Sequence, residues 1–438
     1  MATIPLRGGV SVMLLLWAVG VSEAQLPFIV ASQDDVGDLD PGDGNCLAAS
    51  GACTLRAAIE EANALPGEDV IEVGPGTYAL SLGVLEITDH VRVLGNRQGS
   101  PTIVDGQLES AVFLINGGRA RARVELHHLH IRNGRVPLSE SGGGIFNFRG
   151  LLLIDQCSIY ANSAGTGGGA IHNNSGNIIS IIQSEIFDNG VLVVDSETGQ
   201  ADAEPQRGGA LQNGGIVYID KSTIANNAAG RAGGIFQGLG GFLIMRDSTV
   251  SGNVGTIDTG GIINGGTAFL NNVTMAFNEG LIDPFHLFDD DAAGGVSGTG
   301  GLFMANTILS NNRFGPGPIG FATNLDCAGT ITSAGYNLIQ DTTACTIDGL
   351  LTGNVLGEDP ELGTLQLNFG RTRTHALPAG SVALNAGNPA TPNGLLNRCG
   401  RTDQRFRVRG VGPGVGRCDI GAYERNALPG HVGGVVPP

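Results

Sequence analysis

Between residues 142 and 311 the alternation of apolar and polar positions restarts six times. Each unit opens on small residues and one aliphatic: GGGIFN (142–147), GGAIHN (168–173), GGALQN (208–213), AGGIFQ (232–237), TGGIIN (259–264) and AGGVSG (293–298). Each continues to a second block: CSIYAN (157–162), SEIFDN (184–189), STIANN (222–227), STVSGN (248–253), VTMAFN (273–278) and NTILSN (306–311). Aligned, the second blocks give an aliphatic column of Ile159, Ile186, Ile224, Val250, Met275 and Ile308. Three residues later each carries asparagine: Asn162, Asn189, Asn227, Asn253, Asn278 and Asn311. The anchor aliphatics Ile145, Ile171, Leu211, Ile235, Ile262 and Val296 are spaced 26, 40, 24, 27 and 34, so the unit is about 24 residues long, with insertions around 190–207 and 280–293. Inside a unit apolar residues recur every second position, as in Leu151 and Leu153 or Ile216 and Tyr218, which is the period of a strand.

A unit this short cannot bury its own apolar face, so it must stack on its neighbours. Short strands joined by glycine and asparagine corners, one unit per turn, predict an all-β fold: a parallel β-helix whose coils stack about 4.8 Å apart. Aliphatics then line the interior, and the asparagines form a ladder along one corner. Leucine-rich or helical solenoids would show a 3.6 period and less glycine. ITDHVRVLG (87–95), SPTIVDG (100–106), AVFLING (111–117) and VELHHLHIRNG (124–134) fit as less regular turns, so 77–320 holds about ten coils. Solenoid ends expose strand edges and need covers. CTLRAAIEEANALPGEDVIEV (53–73) predicts one: Thr54 as N-cap, Leu55, Ala58, Ile59 and Ala62 on one helical face, and Pro66-Gly67 as the stop.

Composition accounts for the rest of the organisation. Gly is 72 of 438 residues, which the corners explain without a collagen period. Arg7, the apolar run from Val10 to Val21 and Ser22-Glu23-Ala24 predict a signal peptide over 1–24, too short in its apolar core to span a membrane. An acidic segment (25–45), a cap (46–76), the β-helix (77–320), a C-terminal module that continues or caps it (321–425) and a tail (426–438) follow. Seven cysteines fit an oxidising compartment; Cys46 and Cys53, Cys327 and Cys345, and Cys399 and Cys418 are near neighbours that suggest three local disulfides, leaving Cys157 odd. A net charge of −17 argues against nucleic acid and anionic membranes as partners.

Three stretches carry a resemblance. CTLRAAIEEAN (53–63) resembles the Cys-Ser-Leu-Arg-Glu-Ala block at the start of a family of exported bacterial β-helix proteins, with Thr54 for serine and Ala57 for glutamate. The repeats resemble those of the chlamydial polymorphic outer membrane proteins, whose signatures are GGAI, intact at 168–171, and FxxN. THALPAGSVALNAGNPA (374–390), TDQR (402–405) and CDIGAYE (418–424) resemble a terminal module found before diverse surface anchors. The resemblance implies a secreted or surface-displayed right-handed parallel β-helix and brings no shared catalytic set. After Glu424 no apolar helix with a basic tail, sortase-like motif or autotransporter barrel follows.

Candidate chemistry is sparse. A phosphate loop needs one strand–loop–helix unit, whereas these glycines recur six times without a helix. Glycosidase aspartate pairs have no counterpart, and Asp289-Asp290-Asp291 reads as a solvated loop. A pectate lyase-type polysaccharide lyase needs a basic residue to take the proton α to a uronate carboxylate, beside carboxylate-bound calcium. Lys221, Arg246, Asp220 and Asp247 precede the aliphatic column on successive coils and are the catalytic candidates, as an exposed charged patch or as surface salt bridges. Asp34, Asp35, Asp38, Asp40 and Asp43 are weak calcium candidates that do not match an EF-hand. The alternation leaves the histidines of HHLH (127–130) outside, and His172 has no counterpart in other units. Cys157 aligns with Ser184, Ser222 and Ser248 as a buried inert thiol; Thr223, Thr249, Thr274 and Thr307 form an outward column on an exposed face. No cofactor other than calcium is implied. The expected function is binding or adhesion at the bacterial envelope, with an extracellular or cell-surface glycan or protein as partner. A polysaccharide lyase is the alternative, and a structural surface spacer a third reading.

Overall fold

The computed structural model describes residues 26–118, 121–137, 139–190, 207–282, 292–316, 323–390, 397–410 and 417–425, together with the backbone of Ala2–Pro5 and Ser11–Leu14. The expected signal peptide (apart from those two backbone stretches), the tail and Asp289-Asp290-Asp291 lie outside the described residues. The chain is all-β, a right-handed parallel β-helix with the single helix Leu55–Ala64 among the described residues. Each coil passes through three sheets. The first carries the glycine–aliphatic strands, from Leu85–Ile87 to Val296–Ser297. The second runs from Phe28–Val30 to Cys345–Leu350. The third has eleven strands, from Gly76–Ala79 to Val355–Leu356. One 11-residue strand, Ile145–Asp155, passes unbroken from the first sheet into the second.

The anchor column is continuous: Ile145 pairs with Ile171, then Leu211, Ile235, Ile262 and Val296 follow in register, and none is more than 1% exposed. Burying each such side chain contributes about 1.5–3 kcal/mol. At the corner after the third sheet the asparagine amides form a ladder. Asn162 Nδ2 donates to Asn189 Oδ1 at 3.0 Å, Asn189 to Asn227 at 2.9 Å, Asn227 to Asn253 at 2.9 Å, and Asn253 to Asn278 at 2.9 Å. The same amides cap backbone carbonyls of the coil before, so a sharp corner leaves few polar groups unpaired.

The last rung corrects the sequence alignment. Asn278 donates to Asn312 at 2.8 Å, not to Asn311, and Met275 pairs with Leu309, not with Ile308. Two adjacent aliphatics and two adjacent asparagines make both registers acceptable on sequence. The corner decides, because the residue before each ladder asparagine is left-handed: φ is 55° at Ala161, 53° at Asp188, 55° at Asn226 and 58° at Asn311. Asparagine tolerates that region, so Asn311 takes the corner and Asn312 the rung. The ladder ends on Asp326, which accepts from Asn312 at 2.8 Å.

At the start, Thr54 Oγ1 accepts from Ala57 N at 3.0 Å, and Leu55, Ala58, Ile59 and Ala62 are buried against the first coils. Cys46 and Cys53 are bonded beside this helix, as are Cys327–Cys345 and Cys399–Cys418 further along. At the other end, Gly329–Ala334 and Cys345–Leu350 add strands to the second sheet. The described parts of 362–425 then lie back along the outside of the third sheet. Leu377, Ala383 and Ile420 form a small core with Ile308 and Leu338.

Candidate functional site

The lyase candidates occupy the corner between the second and third sheets, where Lys221 (φ 52°) and Asp247 (φ 42°) are left-handed on successive coils. They do not form an exposed patch. Lys221 is 8% and Asp247 5% exposed, because the returning C-terminal segment covers them. Arg409 Nη2 donates to Asp247 Oδ1 at 2.8 Å, Lys221 Nζ lies 3.4 Å from Asp247 Oδ2, and the Phe406 ring lies over Lys221 Nζ at 5.2 Å. Asp220 keeps an exposed carboxylate, and Arg246 is half-buried with its Nε unpaired. In this arrangement Lys221 is enclosed in an ion-pair network, whereas Arg246 stays half-buried outside it.

The threonine column is corrected likewise. Thr223, Thr249 and Thr274 align in register, but their next partner is Ile308 rather than Thr307. Their face is covered. Thr223 Oγ1 donates to Arg373 O at 2.6 Å, Thr249 Oγ1 to Gln404 Oε1 at 2.7 Å, and Thr274 Oγ1 accepts from Ala422 N at 3.0 Å. Thr307 instead accepts from Val273 N at the preceding corner, in the row of Cys157, Ser184, Ser222 and Ser248. Cys157 is 2% exposed, and burial pushes its thiol up to about 12, so it is not a nucleophile.

The histidines of HHLH are only partly exposed. His128 sits at a corner with φ 55°, and His130 packs edge-on to Tyr160. His127 lies between Glu125 at 3.1 Å and Asp155 at 3.2 Å. Burial alone would lower its pKa, but hydrogen bonds to Asp155 and Glu125 outweigh that and raise it to about 9. Glu125 is held near 2 against its own burial by His127, Arg92 and Arg123. Because the folded pKa of His127 exceeds the ordinary value of 6.5, its stabilisation is full below about pH 6.5 and is lost as pH rises through 9. His127→Gln is therefore expected to cost about 1–3 kcal/mol at pH 6 and much less at pH 10, read from urea unfolding at both pH values. An equal cost at both would exclude the charged pair.

The acidic segment is spent on its own backbone. Asp35 pairs with Arg56 at 2.7 Å and accepts from Ser81 N and Leu82 N; Asp38 accepts from Leu47 N and Asp40 N; Asp43 accepts from Asn45 N; Asp34 accepts from Ser32. Asp40 is exposed without converging on the others. Among the described residues no three His, Cys, Asp or Glu are grouped to hold a metal ion.

Two features escaped the sequence reading. A second amide ladder joins Asn147, Asn173, Asn213, Gln237 and Asn264 at 2.9–3.1 Å along the first sheet. Its signal was present, as the closing N or Q of each opening block. The outer face of the second sheet carries the other. Leu153, Ser180, Tyr218, Ile244, Phe269 and Phe303 stack in register, flanked by Ile178, Ile216 and Phe242. Phe269 and Phe303 lie 4.7 Å apart and nearly parallel (11°), and Phe242 lies 5.5 Å from Phe269. These rings are half-buried on the outside of the coil, where they form an apolar outer face.

No family model matches the sequence, and no curated relative matches it. Two solved structures are similar to it at low levels. Pectate lyase Pel9A is 14% identical, with a TM-score of 0.45 over 93% of this chain and 98% of that one. The A-module of mannuronan C-5 epimerase AlgE4 of Azotobacter vinelandii is 13% identical, with a TM-score of 0.34 over 74% of this chain and 95% of that one.

Proposed function

We propose that this is an exported β-helix protein that binds an extended extracellular or cell-surface glycan by surface contact, without catalysis. The observation that carries the reading is the outward aromatic cluster of Tyr218, Phe242, Phe269 and Phe303 on the second sheet. A parallel sheet repeats its outer face at each coil, so it offers a linear polymer a series of equivalent contacts. Flat rings supply apolar area for sugar faces at low entropy cost. The three disulfides and the apolar start of the sequence support export. The end motifs add their resemblance to exported bacterial β-helix proteins. Against the lyase alternative stands the burial of Lys221 and Asp247.

The test is co-sedimentation with insoluble glycans and bacterial envelopes, alongside an ultraviolet assay for unsaturated products from uronate polymers with calcium. Binding without turnover is expected, weakened about tenfold in Phe269→Ala/Phe303→Ala, as loss of central aromatic contacts implies. Turnover abolished by Lys221→Ala or Arg246→Ala would overturn the non-catalytic reading.

A further inference from the structure

The corner between the first and second sheets is built from glycine in most coils, as at Gly214-Gly215, Gly240-Gly241 and Gly265-Gly266. Three consecutive coils in the N-terminal half set larger side chains beside those corner glycines. The first brings Arg121, the second Phe148 and Arg149, and the third Asn174, Ser175 and Asn177. Together they line an open pocket of about 450 Å³.

The local cause is a bulge. Within Ile145–Asp155 the register against the preceding coil slips between Asn147 and Arg149, so two successive residues, Phe148 and Arg149, turn outward. Asn177, itself 2% exposed, fixes the bulge by donating to Asn147 O and Phe148 O at 2.9 Å each. Asn174 is held from behind by His172, whose Nε2 lies 3.2 Å from Asn174 Oδ1 while its Nδ1 lies 3.2 Å from Gln212 Oε1. His172, singular among the repeats, thus supports one wall of this pocket.

The chemistry of the rim is cationic. Arg121 and Arg149 are exposed, and neither has an acidic partner among the described residues. Arg56, Arg92, Arg132, Arg373, Arg405 and Arg409 are all ion-paired. In a chain of net charge −17, two unpaired guanidinium groups at one pocket favour an anion and local rather than general attraction. Guanidinium matches carboxylate or sulfate oxygens in bidentate geometry. Beside it Phe148 is 44% exposed, and the amide and hydroxyl of Asn174 and Ser175 suit hydroxyl groups.

We propose that this corner binds an acidic sugar residue, with its ring on Phe148 and its carboxylate or sulfate held by Arg121 and Arg149. The inference rests on the glycan-binding reading and adds where an acidic unit would be recognised. Calorimetric titration of the full chain with oligogalacturonate, dextran sulfate and neutral dextran separates carboxylate, sulfate and uncharged sources. An acidic probe is expected to bind, with affinity at least tenfold weaker in Arg121→Gln/Arg149→Gln and several-fold weaker in Phe148→Ala, and with the melting temperature unchanged in the arginine variant. Whichever acidic probe responds identifies the anionic group. Equal affinity of that variant and the parent for every acidic probe overturns the proposal. If binding is then lost only in Phe269→Ala/Phe303→Ala, the surface-contact function stands without this site. If no saccharide or envelope preparation binds at all, both fall.

Discussion

Asn227→Ala is expected to lower unfolding free energy by about 3–5 kcal/mol, far more than an ordinary surface change. The side chain is fully buried and bonded on both sides. Its Nδ2 donates to Ile186 O at 3.0 Å, Ala225 O at 3.1 Å and Asn253 Oδ1 at 2.9 Å, while its Oδ1 accepts from Asn189 N and Nδ2. Alanine leaves at least two buried groups without partners, each costing about 1–3 kcal/mol. Asn227→Asp should fare no better, since it removes the donors and buries a charge. The same logic tests the register at the last rung. Asn312→Ala should resemble Asn227→Ala, while Asn311→Gly, at a left-handed corner that glycine also accepts, should cost well under 1 kcal/mol. Urea unfolding followed by circular dichroism reads both, and the opposite order would restore the register first taken from sequence.

The second large effect concerns the returning C-terminal segment. The Arg409 side chain is 0% exposed and joins Asp247 at 2.8 Å, Gly421 O at 2.8 Å and Glu424 at 3.3 Å. Arg409→Ala leaves Asp247 and Glu424 buried without their shared cation, a loss of about 3–5 kcal/mol. The loss should be local, because the coils hold one another through their own ladders whereas 362–425 rests on the third sheet. Hydrogen exchange should therefore show protection falling across 372–425, while Thr223, Thr249 and Thr274, whose amides bond to the coil before, stay protected along with Ile145, Ile171 and Ile186. Uniform loss of protection along the rod would show instead that the segment is integral to coil stability. Burial raises the pKa of Glu424 and Asp419; Arg409 opposes this at Glu424, and backbone hydrogen bonds from Arg425 and Asn385 oppose it at Asp419.

The repeat was legible because solenoid coils impose their constraints at fixed intervals. An interior position must be apolar, a left-handed corner must be Gly, Asn or a tolerated exception, and a ladder rung must carry an amide. Ile171 between Ile145 and Leu211 satisfies one rule, and Asn189 between Asn162 and Asn227 another. Those rules act through near-identical neighbours, so simple alignment finds them. Alignment failed at 308–312, where Ile-Leu and Asn-Asn each satisfy the rules in two registers.

What sequence could not show is whatever depends on segments that return from far away. Lys221 and Asp247 look like surface charges until Arg409, some 160 residues later, closes over them. Thr223, Thr249 and Thr274 look like an exposed strand face until Arg373, Gln404 and Ala422 bond to them. Arg121, Phe148 and Asn174 are scattered in sequence, and only stacking of three coils brings them to one pocket. The sequence by itself determined the coil, its interior and its corner ladders, because these are periodic and local in the solenoid. The tertiary structure alone decided which outer faces remain open to a partner, because coverage depends on where a non-repeating segment lies down.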